Sequence, residues 1–312
     1  MRRRAGVLAA LMALGSHVAR AESCHVAPVL EVSIRSDSLF LNAPVRLDGH
    51  AGRMLVDTGS EGSLVTPETQ KRLDLRADPR IMTVMRGANG RGTLSPVVVV
   101  RSLRLGGFEL GPRPMPLGAL PGVPDDLEPP IMGLMGADLW RGYDLEIDVP
   151  HGRLVFWAVG GGACRNVPSW PAPFETLPAA LDRGRLTVPF RLDGVAGRAL
   201  VDSGARSHVV SRAFARRTGV DDAVLARDPG GISSGVDMNA KRYVWHRFHL
   251  LSLGEGHEES GAGLWREPVL TVSDVQDGAD MLMGADWFAR HDVWLSYATR
   301  QVFFRSVAPG RR

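Results

Sequence analysis

Two aspartates in this chain stand at the ends of nearly identical segments. Residues 46–59 read RLDGHAGRMLVDTG and residues 191–204 read RLDGVAGRALVDSG, eleven of fourteen positions being identical at a constant offset of 145. In each, an apolar run (Leu55-Val56, Leu200-Val201) passes straight into an Asp-hydroxyl-Gly triplet, Asp57-Thr58-Gly59 and Asp202-Ser203-Gly204. A single triplet of this kind is an ordinary turn whose carboxylate bonds its own backbone. Two in register have a different potential. Carboxylates forced within about 3 Å of each other cannot both ionise, so the pair shares one proton. The ionised member can activate a water and the protonated member can donate to a carbonyl oxygen. Glycine in third place lets backbone approach a carboxylate where a Cβ would intrude.

Such chemistry needs elements that present both turns. Each triplet is followed, 77 and 80 residues on, by two apolar residues and a glycine, Leu134-Met135-Gly136 and Leu282-Met283-Gly284. Between them, Thr66-Pro67-Glu68 and Ser211-Arg212-Ala213 read as N-caps opening short helices, with Pro67 at the first helical position. Asp138 and Asp286, just after the glycine motifs, read as further N-caps. Both copies close with a hairpin: Asp144 to Val149 and Arg153 to Trp157 flank a turn at His151-Gly152, and Val293 to Tyr297 and Gln301 to Arg305 flank one at Ala298 to Arg300. Val/Leu runs bounded by 36 glycines and 21 prolines make the chain mostly β. Two copies, too few and too long for a solenoid, give residues 22–158 and 177–312 as duplicated units joined by a Gly/Pro-rich linker at 159–176.

The paired triplets with a glycine motif behind each resemble the pepsin and retropepsin superfamily of aspartic proteases, densest at residues 46–65, 131–157, 191–210 and 280–305. The resemblance implies two retropepsin-like β-barrel lobes in one chain, a pseudo-dimer with a bilobal arrangement. It implies that Asp57 and Asp202 are the catalytic pair and that the substrate is a polypeptide, hydrolysed by a water activated between them. Thr58 and Ser203 would bond across to the opposite lobe's backbone. Gly136 and Gly284 would lie on the strands that cross beside the catalytic turns.

Within that resemblance, the turn-rich stretches after each helix are candidates for hairpins that cover a substrate. These are Gly87 to Gly92, including Asn89 and Gly90, and Gly231 to Asn239, including Ser234 and Gly235; register sets Gly87 opposite Gly235. Tyr243 and Trp245 follow the second tip, as strand aromatics or as substrate contacts. After the first triplet, Ser60-Glu61 keeps an acid where retroviral members carry one near the substrate backbone, whereas the second triplet is followed by Ala205-Arg206. Substrate binding is therefore expected to be asymmetric. Ser60 is expected to offer Asp57 a hydroxyl that Ala205 cannot match, which would make Asp57 the more often ionised member and Asp202 the more often protonated.

The rest of the sequence narrows the alternatives. The formal charge of +3 comes from Arg2, Arg3, Arg4 and Arg20, without which 33 basic face 34 acidic residues. No basic stripe remains to bind nucleic acid. Residues 1–21, with their Arg-rich start, the apolar run Ala5 to Gly15 and Ala19-Arg20-Ala21, read as a signal peptide, cleaved or kept as an anchor. No later stretch reaches the roughly 20 apolar residues of a membrane span. The protein is expected to be secreted, and periplasmic given only two lysines among 37 basic residues, a bias of G+C-rich bacteria. Cys24 and Cys164, the only cysteines, are expected to pair in that compartment. They cannot build a metal site, and no cofactor is called for. The first strand pattern, Val29-Leu30-Glu31-Val32, begins close to the cleavage point, so no prosegment is expected and the mature chain should act as a monomer. Gly231-Ile232-Ser233-Ser234-Gly235 fits G-x-S-x-G but lacks the strand-to-helix setting of a nucleophile elbow. His257-Glu258-Glu259 lacks the second histidine of a zinc site. The remaining alternative is a non-catalytic duplicated protein of the same fold that binds peptides or serves as a scaffold.

Overall fold

A computed structural model describes residues 24–307 except 89, 91, 125, 161–163, 165–166, 172, 237, 255–262 and 277. The expected signal peptide, Asn89 and His257-Glu258-Glu259 lie outside the described residues. The fold is mostly β, with curled, barrel-like sheets and four short helices among the described residues.

The duplicated segment makes the same hairpin twice. Phe40–Leu47 pairs with His50–Val56 across Asp48-Gly49, and Arg185–Leu192 pairs with Val195–Val201 across Asp193-Gly194. All four loop residues have positive φ, from 47° to 85°. That is the two-residue turn whose twist matches the flanking strands, and Asp-Gly supplies it with little strain. Each hairpin's second strand carries its apolar end, Met54-Leu55-Val56 or Ala199-Leu200-Val201, into the core.

Beside those ends run the glycine motifs. Ile131–Met135 lies parallel to His50–Val56 and antiparallel to Leu64–Val65. Met281–Met283 does the same between Val195–Val201 and Val209–Ser211. Thr66 and Ser211 cap Pro67–Arg72 and Arg212–Arg217, accepting from the amides of Thr69 and Phe214, as their sequences predict. Asp138 and Asp286 do not cap. No helix follows Asp138, and Asp286 sits inside Ala285–Phe288 with Gly284 at the cap position.

A six-stranded sheet joins the two ends of the chain in the order His25–Ser33, Arg153–Gly160, Asp144–Asp148, His291–Ser296, Gln301–Ser306, Glu175–Pro178. Its centre is the antiparallel pair Asp144–Asp148 and His291–Ser296, one strand from each half of the chain. One face is apolar (Leu145, Ile147, Val293, Leu295) and buried. The other carries Glu146, Asp148, Asp292 and Trp294, also buried, beneath Val167, Trp170 and Phe174. Among the described residues of the 159–176 stretch, Val159, Cys164, Val167, Trp170 and Phe174 are thus packed against this sheet. The expected disulfide is present, with Cys24 and Cys164 Cα atoms 4.8 Å apart.

Candidate active site

Asp57 and Asp202 leave the parallel strand pairs at equivalent points. Each backbone amide donates to the carbonyl of the methionine in its glycine motif, Asp57 to Met135 and Asp202 to Met283, both at 3.0 Å. Each carboxylate then accepts from its own turn, Asp57 Oδ1 from the Gly59 amide at 3.0 Å and Asp202 Oδ1 from the Gly204 amide at 2.9 Å.

The turns are locked to each other by Thr58 and Ser203. The Thr58 hydroxyl donates to the Val201 carbonyl at 2.8 Å and accepts from the Ser203 amide at 3.0 Å. The Ser203 hydroxyl donates to the Val56 carbonyl at 2.6 Å and accepts from the Thr58 amide at 3.1 Å. Both side chains are 1% exposed, so these four bonds form without competition from water. They hold the two carboxyl groups within hydrogen-bonding reach of one another. Burial, then the charge and hydrogen bond of Asp202, push the Asp57 carboxyl well above the usual carboxylate range, with the Gly59 and Ser60 amides pulling the other way.

The four glycines are sterically required. A Cβ on Gly59 would overlap the Asp202 carboxyl and one on Gly204 the Asp57 carboxyl. Gly136 and Gly284 press on the loops behind the turns, where a Cβ would strike the carbonyls of Gly62 and Ser207.

The Ser60 hydroxyl does not serve Asp57. It donates to the Gly62 carbonyl at 2.8 Å, because the loop curls back on itself there. What Asp57 gains from this residue is a backbone amide, and Asp202 gains the same from Ala205 at 3.2 Å. The predicted difference between the two carboxylates therefore has no basis in this hydroxyl, and the proton belongs to the pair.

Above the pair lies a cleft of about 550 Å³ whose lining includes Asp57, Gly204, Leu55, Leu134, Val209 and Leu282. Two hairpins close it. Ala77–Arg86 and Gly92–Val100 form the first, its tip closed by the Gly90 amide donating to Gly87. The Ala88 carbonyl accepts from the Gln276 amide at 2.8 Å, and Ala88 packs with Leu200, Val275 and Leu282 of the C-terminal half. Gly90 (φ +75) lies against Gln276. Gly230–Ser233 and Lys241–Arg247 form the second hairpin, and Val236 at its tip packs on Phe40, Leu55, Leu64 and Leu134 of the N-terminal half. Each tip thus rests on an apolar cluster of the other half. Ser234, Gly235, Tyr243 and Trp245 line the cleft; from the first tip Ala88 does, rather than Gly87 or Gly90. Ser233 ends an edge strand that runs into this loop, so it is no nucleophile elbow.

Glu61 and Arg206 diverge. The Glu61 carboxylate, expected near a substrate, is paired with Arg183 at 2.5 Å. Arg206 lines the cleft. Sequence reasoning missed three supporting groups. Arg185, 2% exposed, donates to the Gly59 carbonyl at 3.1 Å. Ser63 donates to Asp138 at 2.7 Å and accepts from the Gly136 amide at 3.0 Å. Its counterpart His208 meets Asp286 at 2.8 Å. The available signal was the offset of 145, which sets Arg185 against Phe40 and His208 against Ser63. Among the described residues no three His, Cys, Asp or Glu side chains gather as a metal site requires.

Residues 43–139 match the family model of aspartyl proteases, so this stretch, which holds Asp57, the first hairpin and Gly136, is aspartic protease-like. The second triplet lies outside it. No curated protein matches the sequence. Among solved structures, basic 7S globulin from soybean aligns at 12% identity with a TM-score of 0.46, over 92% of this chain and 96% of that one.

Proposed function

We propose that the protein is a single-chain aspartic endopeptidase, two retropepsin-like lobes sharing one cleft, secreted to the periplasm and active as a monomer. The observation that carries this reading is the reciprocal Thr58/Ser203 lattice, which holds the half-buried Asp57 and the buried Asp202 carboxyl groups together at a cleft floor. Two like charges so placed keep one proton between them. The ionised member takes a proton from a water set between the carboxyls, and that water attacks the scissile carbonyl. The other member donates its proton to the carbonyl oxygen, and the pair then returns a proton to the leaving amine. The two hairpins exclude bulk water, which strengthens each of these interactions.

The test is digestion of a peptide library by the mature chain, beside Asp57→Asn and Asp202→Asn. Each variant should stay folded and lose cleavage, since neither carboxylate can do the work of two. Wild-type turnover in either variant would refute the reading. Binding of peptides without cleavage by the wild type would favour a peptide-binding protein instead.

A further inference from the structure

Across the offset of 145, Ser38, Phe40 and Glu61 correspond to Arg183, Arg185 and Arg206. At one end of the site, the arginines of the second hairpin reach the first catalytic loop: Arg183 pairs with Glu61, and Arg185 holds the Gly59 carbonyl. At the other end the same exchange brings Phe40 to Arg206, with Ser38 lining the same cleft, and neither is an acid. The Arg206 guanidinium carbon lies 5.5 Å from the centroid of the Phe40 ring, a cation on an aromatic face. The nearby carboxylates are engaged elsewhere, Asp274 by Arg212 at 3.5 Å and Asp286 by His208. Among the described residues no carboxylate pairs with Arg206, which is exposed in the cleft wall.

Phe40 is shared. Its ring belongs to the apolar cluster with Leu55, Leu64 and Leu134, where Leu120 and Val123 also pack, and that cluster faces the same cleft. An extended peptide points residues i and i+2 to one side, about 7 Å apart. A side chain seated on the apolar cluster therefore sets the group two positions along beside Arg206. A planar guanidinium braced on a ring is suited to bind a carboxylate through two parallel N–H donors.

We infer that the cleft selects polypeptides that carry a carboxylate two positions from a bulky apolar residue, and that Arg206 is the specificity-determining residue that binds it. This rests on the peptidase reading and names the substrate class of the same site. The carboxylate is that of an Asp or Glu side chain or of the chain's C-terminus, which share this chemistry.

Fluorescence anisotropy with the Asp202→Asn variant tests it, using labelled decapeptides matched except for Leu-x-Glu against Leu-x-Gln, and shorter ones ending at that position as free acid or amide. The same peptides are digested by the wild type. The carboxylate forms should bind about tenfold more tightly than their neutral partners, a single ion pair's worth in a half-open site. Arg206→Ala should erase the difference, and Arg206→Glu should turn it towards Leu-x-Lys. A preference confined to Glu peptides assigns the side chain, and one confined to free acids assigns the terminus. No preference, a preference that survives Arg206→Ala, or no binding at all overturns the inference. Cleavage without preference would leave the peptidase reading standing, whereas preference without cleavage would remove that reading and keep the carboxylate site.

Discussion

Replacing Thr58 by alanine removes one hydroxyl and strands two backbone groups. The Val201 carbonyl loses a donor at 2.8 Å and the Ser203 amide loses an acceptor at 3.0 Å, in a spot where Thr58 is 1% exposed. A buried polar group left unpaired costs about 1–3 kcal/mol, so the two together should cost about 2–6 kcal/mol, near 4 with both counted at mid-range. At about 2–4 °C per kcal/mol for a chain of this size, the Tm should fall by about 8–16 °C. Thr58→Ser keeps the hydroxyl and should lose only about 1 kcal/mol, that of a buried methyl group. Ser203→Ala should match Thr58→Ala, because it strands the Val56 carbonyl and the Thr58 amide in the same way. The double variant should fall short of the sum by about 1–3 kcal/mol, since both hydroxyls brace one pair of loops. Urea unfolding followed by tryptophan fluorescence, with thermal scans beside it, measures all four. If Thr58→Ala stays within 1 kcal/mol of the wild type, or if Thr58→Ser is as damaged as Thr58→Ala, the lattice does not hold the site together.

Gly204→Ala should lower turnover by about 100-fold at unchanged circular dichroism, because its Cβ overlaps the Asp57 carboxyl and displaces it. Asp292 gives a pH dependence. Burial first, then Asp148 and Glu146, push its carboxyl up to about 7 against the opposing pull of Arg305. The folded chain therefore binds this proton more tightly than the unfolded chain, and the stability so gained is full below the unfolded value and lost as pH rises through 7. Asp292→Asn should raise the Tm relative to wild type more at pH 8 than at pH 5, and an equal shift at both would contradict that. Cys24→Ser with Cys164→Ser should cost about 5 kcal/mol by chain entropy, the bridge spanning 140 residues, as read from urea midpoints.

What could be read from the sequence was what local residue types dictate. The place of the glycine motifs on strands beside the triplets is what the resemblance implies, and Thr66 and Ser211 cap helices from their own hydroxyls. The hairpin tips were found as turn-rich stretches for the same reason. What escaped depends on which side chain of one half meets which loop of the other. Nothing in the spacing of Ser60 shows that its loop curls towards Gly62, and nothing near Glu61 in sequence names Arg183 as its partner. Asp138 and Asp286 look like caps because an acid after a strand often is one. Here Ser63 and His208 reach them first. The departures from exact repetition, Phe40 against Arg185 and Glu61 against Arg206, were visible, but only the fold shows that Phe40 meets Arg206 and that Arg185 reaches the Gly59 carbonyl.

The six-stranded sheet also bears on how the chain is made. Its central pairing cannot form until His291–Ser296 has been synthesised, so a nascent N-terminal half presents Asp144–Asp148 as an open edge while most of the second half is made. An open edge is a template for pairing with another chain, and charged side chains blunt it. Glu146 and Asp148 supply charges on that edge, so two nascent halves meeting there would bring carboxylates together, offset only in part by Arg153 of each half, 3.3 Å from Glu146 and 3.9 Å from Asp148. The correct partner strand brings Trp294 opposite Glu146 and Asp292 opposite Asp148, with Arg305 on the next strand to meet Asp292. The carboxylates that, after burial, leave Asp292 hard to ionise in the finished protein would then help to keep the unfinished one from joining its neighbours on the ribosome.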